Sequence, residues 1–185
     1  MSPFPALDPI PLPAPVWLFK ALLLLTFSLH VVAVQLFLGS LVAGTWWAFW
    51  GRFRNDPVMI GASRGIARRL PVVMIYLINL GVPPLLFTQV LYGRALYTSS
   101  VLIGAWWISV ILLLLVVYYM LYVIAARSEA GRSWVVHGIL ALALAGTIAT
   151  IYTHNMTLMV RPEVWLEMYR ASPHGTHLSH GGDAL

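Results

Sequence analysis

Four runs of apolar residues, each at least the roughly 20 residues that a bilayer crossing needs, leave this 185-residue chain little with which to build a water-facing domain. They extend over about Val16–Trp50, Leu70–Leu91, Val101–Ala126 and Trp134–Val160. Only 9% of the residues are charged, against about a quarter in soluble domains. The pattern predicts an all-α membrane protein, a four-helix transmembrane bundle over 16–160. A proline-rich arm over 1–15 precedes it and a histidine-containing tail over 161–185 follows. The opening "MSPFPALDPIPLPAPVW" has no positive region of the kind a secretory signal carries, and its first basic residue is Lys20.

The segments between the runs set the orientation. The first holds Arg52, Arg54, Arg64, Arg68 and Arg69, the third Arg127 and Arg132, and the middle one only Arg94. Basic loops stay on the cytoplasmic side, so both termini are expected on the outer, periplasmic side of a bacterial inner membrane. Part of the stretch "DPVMIGASRGIARRL" is expected to lie as a basic helix on the inner surface. This distribution also accounts for the net charge of +5, so no nucleic-acid partner is expected. Within the second run, Pro83 and Pro84 lack N–H groups, which predicts a kink there, with Asn79 serving the freed carbonyls.

The absence of cysteine excludes disulfides, iron–sulfur clusters, thiolate zinc sites and covalent haem attachment, but not a cofactor held by histidine. The apolar runs contain no Asp, Glu or Arg, which argues against a proton pump or an ion-coupled transporter. No nucleophilic triad or phosphate loop is present.

What remains polar is informative. His30 stands alone in "TFSLHVVAVQLFLGS". An ionisable side chain in such a setting marks a functional site by default, and the structural alternative is a neutral ring bonded to a neighbouring carbonyl. In the fourth run Ala143, Thr147, Thr150, His154 and Thr157 recur every three or four residues, with Gly146 beside them. Small side chains allow close helix packing, but they also make room for a flat prosthetic group, and His154 adds an imidazole ligand. His30 and His154 fall in the same leaflet and can face one b-type haem or ligate two. His137, at the other end of the fourth run, is either an interfacial histidine or the ligand of a second haem. His174, His177 and His180 in the tail can bind a metal, cap a neighbouring cofactor or simply be solvated in a flexible segment.

The stretches "LTFSLHVVAVQLFLGSLVAG", "INLGVPPLLFTQVLYG" and "YTHNMTLMVRP" together resemble the first four helices of the large subunit of cytochrome bd-type oxidases. The resemblance implies that His30 is an axial haem ligand. That family's third helix bears glutamates near its haem pair, and "LIGAWWISVILLLL" has none. The resemblance therefore implies haem binding in a four-helix membrane module rather than a complete oxidase. The expected function is electron transfer through non-covalent, histidine-ligated haem b, as a subunit of a respiratory or related redox complex. A periplasmic c-type cytochrome or another redox subunit is the expected partner, and a homodimer would help enclose the haem. The alternatives are an oxidase-like enzyme acting on oxygen or quinol, and a cofactor-free scaffold or assembly subunit.

Overall fold

The computed structural model describes residues 12–172 and 174–176. It is all helical there: α1 Val16–Arg54, α2 Pro57–Leu102, α3 Gly104–Glu129, α4 Val135–Met159, a 3-10 turn Pro162–Val164 and α5 Trp165–Ala171. The first four are long and apolar enough to cross a membrane, the architecture of a multi-pass membrane protein. With 26 and 25 residues, α3 and α4 are about 38 Å long and match a bilayer with its headgroups. The 39 residues of α1 reach about 58 Å, so it tilts or projects.

Two residues join α1 to α2. Asn55 takes the left-handed conformation (φ 52°, ψ 39°), which asparagine accepts more readily than most side chains, and its N–H meets the Arg52 carbonyl. Asp56 then caps α2: its Oδ1 accepts from the backbone N–H of Val58 (2.8 Å) and of Met59 (3.3 Å). Pro57 occupies the first helical position, where no N–H is needed. At this corner Gly51 is obligatory, because a Cβ there would lie 2.9 Å from the Cβ of Met59.

The sequence-based expectation is corrected at this point. The basic segment is not a separate helix on the membrane surface; it forms the first turns of α2, which starts at Pro57 rather than near Leu70. The cap starts the helix early, and Ser63 and Ala67 give it a buried face despite Arg64, Arg68 and Arg69. The prolines also behave differently from expectation. Helical dihedral angles persist through Pro71, Pro83 and Pro84, and the break falls at Tyr92 (φ −129°, ψ 28°), beside Gly93. The Asn79 Nδ2 donates to the Ile75 carbonyl (2.8 Å), not to the carbonyls of Asn79 and Leu80 that the prolines deprive of partners.

Two apolar clusters hold the helices. One draws on all four: Phe37, Leu41 and Ala48 of α1, Ala67, Leu70 and Met74 of α2, Val117, Leu121 and Ile124 of α3, and Ala141 of α4 with Trp134 just before it. The other, at the far end, joins Leu102 and Ile103 to Val110 of α3, Ile151 and Leu158 of α4, and Trp165 and Met168 of α5; its buried members include no residue of α1. There α1 pairs with α2 instead, through Phe19 edge-on to Phe87 and His30 against Gly81.

Arginines pin the turn between α3 and α4 at the opposite end. Arg52 Nη2 donates to the Gly131 carbonyl (3.1 Å), Arg127 Nε donates to the Ser133 carbonyl (2.8 Å), and Arg68 pairs with Glu129 (3.3 Å). At the end away from the arginines, residues expected to form a loose tail are partly tied down. The Gly175 carbonyl accepts from the Ala105 N–H at the start of α3, and the Thr176 carbonyl accepts from Trp106 Nε1 (2.7 Å). Gly175 is in the left-handed region (φ 63°), and a Cβ there would collide with the backbone of Gly104.

Candidate functional site

His30 projects from α1 onto Gly81 of α2. A Cβ at Gly81 would stand 2.9 Å from the imidazole Cε1 and 3.2 Å from Nδ1, so the ring occupies the notch that glycine leaves. Leu77 is one helical turn earlier, and its carbonyl lies beneath that notch along the helical hydrogen-bond row. The ring lies beside the Leu77 backbone, and its Nδ1 is buried without a protein partner. That nitrogen is the one group of the ring left unpaired inside the protein.

The hairpin register creates this pairing. His30 stands as far before Asn55 as Gly81 stands after Asp56, about 38 Å of helix on either side. The same register opposes Gly51 to Ile60, each about one helical turn from the corner.

His154 lies near the far end of α4, and its Nε2 is also buried without a partner. Its neighbour Asn155 is 0% exposed and donates through Nδ2 to Ser100 Oγ (3.2 Å), which anchors this part of α4 to the segment of α2 beyond Tyr92. The depth of the two histidines follows from the tight crossing of α1 and α4, where a Cβ on Gly138 would collide with Thr45 Oγ1. Both histidines lie on the side of that crossing away from the arginine-rich end. At 1.5 Å per residue His30 sits about 22 Å from it along α1 and His154 about 24 Å along α4, on one level. His30 belongs to the α1–α2 pair, and His154 to the helices around the second cluster.

Other expected residues fall elsewhere. Thr147 Oγ1 donates to the Ala143 carbonyl (3.0 Å) and Thr150 Oγ1 to the Gly146 carbonyl (2.9 Å), so these hydroxyls are satisfied within α4. Together with Gly146, which has open space where a side chain would be, they form an exposed face that another helix can approach closely. His137 is beside Gly138 at the arginine-rich end, about 25 Å from the level of His154, and its Nδ1 is buried without a partner. His174 is exposed in the turn that leads to Gly175, whereas His177 and His180 lie outside the described residues. Among the described residues no group of three or more His, Asp or Glu side chains is placed to hold a metal ion.

Gly81 is the residue that sequence reasoning passed over. Its segment carried the family resemblance, but nothing local distinguished it from the other glycines. Buried imidazole nitrogens without protein partners, in apolar surroundings, are the donor type that a haem would take. His30 and His154 are the residues that would hold it. No protein-family model, curated protein or solved structure matches the chain.

Proposed function

We propose that the protein is a multi-pass membrane subunit that binds haem b non-covalently and carries electrons, and that His30 and His154 are the residues that would hold the haem. The observation that carries this reading is the pair of buried, unpartnered imidazole nitrogens, His30 Nδ1 and His154 Nε2, each about 22–24 Å of helix from the α1–α4 crossing. Leaving buried polar atoms unpaired costs about 1–3 kcal/mol each, so a partner outside the polypeptide accounts for both. Bound haem supplies one-electron redox chemistry at a potential set by its ligands and by burial.

The chain's own residues do the positioning. The Gly81 notch seats the His30 ring, Asn155 and Ser100 hold the end of α4 that bears His154, and the apolar helices exclude water. The lack of any carboxylate within the four apolar runs favours a carrier over a complete oxidase. The arginine-rich end is assigned to the cytoplasm of a bacterial inner membrane, which places both histidines toward the periplasm, within reach of a c-type cytochrome or a similar redox subunit. A purified sample should show a Soret band and a reduced α-band. A colourless protein that stays colourless after haem is added would overturn the proposal.

A further inference from the structure

At the arginine-rich half of the bundle, α1 and α4 leave an open groove of about 370 Å³ between them. Its walls are Val42, Trp46 and Phe49 on α1 and Val135, Ile139 and Leu142 on α4. Thr45, also in the lining, donates its hydroxyl to the Leu41 carbonyl (2.7 Å), so the indole N–H of Trp46 is the one side-chain donor on the groove walls not bonded to the protein. Trp46 is 58% exposed and Ile139 56%, and the largely apolar channel is about 10 Å long on each helix.

The groove ends in positive charge. Arg52 is one turn beyond Phe49, and Arg132 shortly precedes Val135. Arg52 spends its contacts on two backbone carbonyls, Ala48 (3.4 Å) and Gly131 (3.1 Å), so its charge is not neutralised. Arg132, next in the chain after Gly131, is exposed, and its guanidinium makes no hydrogen bond or ion pair among the described residues. The nearby carboxylates are engaged elsewhere: Glu129 pairs with Arg68, and Asp56 caps α2.

We infer that this groove binds one anionic phospholipid, with an acyl chain along the α1–α4 wall and the headgroup phosphate between Arg52 and Arg132. An apolar channel that runs into two unneutralised guanidinium groups matches a lipid of net negative charge. The inference does not depend on haem binding or on the orientation of the chain.

Native mass spectrometry of the delipidated full-length protein in a non-ionic detergent tests it, with phosphatidylglycerol, phosphatidylethanolamine or inorganic phosphate added in turn. The expected result is one phosphatidylglycerol retained per chain, and retention about fivefold weaker in Arg132→Gln, a change at an exposed side chain that leaves the turn contacts in place. Ile139→Trp, which fills the groove, should lose the lipid while Arg132 remains. A milder second variant, Val42→Phe, should weaken it in the same direction. Equal retention of phosphatidylethanolamine, unchanged retention in Arg132→Gln, phosphate binding that ignores groove filling, or a dimer that covers the groove and excludes lipid would each overturn the proposal.

Discussion

The imidazole of His30 sits in the notch of Gly81, with Cε1 2.9 Å from the place where a side chain on residue 81 would begin. A ring edge cannot yield as the end of a flexible chain does. Gly81→Ala should therefore displace the ring, at the about 1–3 kcal/mol typical of overpacking, and lower the haem bound per chain roughly five- to a hundredfold. Pyridine haemochrome assay at matched expression reads this directly. Normal haem content in Gly81→Ala would mean that the ring position is irrelevant to the cofactor.

His30→Ala and His154→Ala should lose the same haem, because the two side chains share a level and each leaves one nitrogen open. His137→Ala, about 25 Å away, should leave that spectral component intact. Two separate components, each lost with one of the first two variants, would exclude a shared haem.

At the crossing of α1 and α4, an added Cβ on Gly138 would meet Thr45 Oγ1 and would stand 3.1 Å from Trp134 Cζ3. Gly138→Ala should destabilise the bundle by about 1–3 kcal/mol. Thr45→Ala removes the hydroxyl and methyl that the new carbon meets, so the double variant should recover part of the loss. Unfolding in denaturant supplies the four numbers of the cycle, and strict additivity would show that the two residues do not touch.

Removing residues 172–185 deletes the Gly175 and Thr176 carbonyls that receive Ala105 N–H and Trp106 Nε1–H. Two lost hydrogen bonds should cost about 1–3 kcal/mol of stability. Haem content and midpoint potential should not change, since neither proposed haem-holding histidine lies there. A missing haem equivalent would assign the tail a ligand.

The chain lacks cysteine, so single cysteines report sidedness cleanly. Val160→Cys, at a site 77% exposed, should react with a membrane-impermeant maleimide in intact cells. Ala130→Cys, in the turn held by Arg52 and Arg127, should react only after permeabilisation. The reverse pattern would invert the orientation proposed above.

The four long helices were legible because hydrocarbon runs of that length have few other fates. The extent of α2 was not, because Arg64, Arg68 and Arg69 interrupt hydropathy even though they do not interrupt a helix. The start signal was present in Asn55-Asp56-Pro57: a residue that tolerates the left-handed turn, a cap, and a proline at the first position. Had the corner been placed there, counting outward equally along both helices would have paired His30 with Gly81. The break at Tyr92 was hidden by the more conspicuous prolines, whose fixed φ suits a helix and whose lost hydrogen bonds did not bend the dihedrals. Helix α5 carried a weak signal, Trp165 and Met168 on one face after Pro162, too short to stand out from a tail. The outward direction of the Thr147–Thr150 face depends on which helices α4 meets, and a single sequence does not encode that locally.

The two-residue corner at Asn55–Asp56 leaves no slack between α1 and α2. In a thinner or thicker bilayer neither helix can slide past the other like a piston, and the pair must lean as one body to match the hydrocarbon. The distance from His30 to the corner is then a fixed length, about 38 Å of helix, whatever the lipid. Changes in membrane thickness alter the angle of this arm to the surface, while the contact between the imidazole and Gly81 travels with it unaltered.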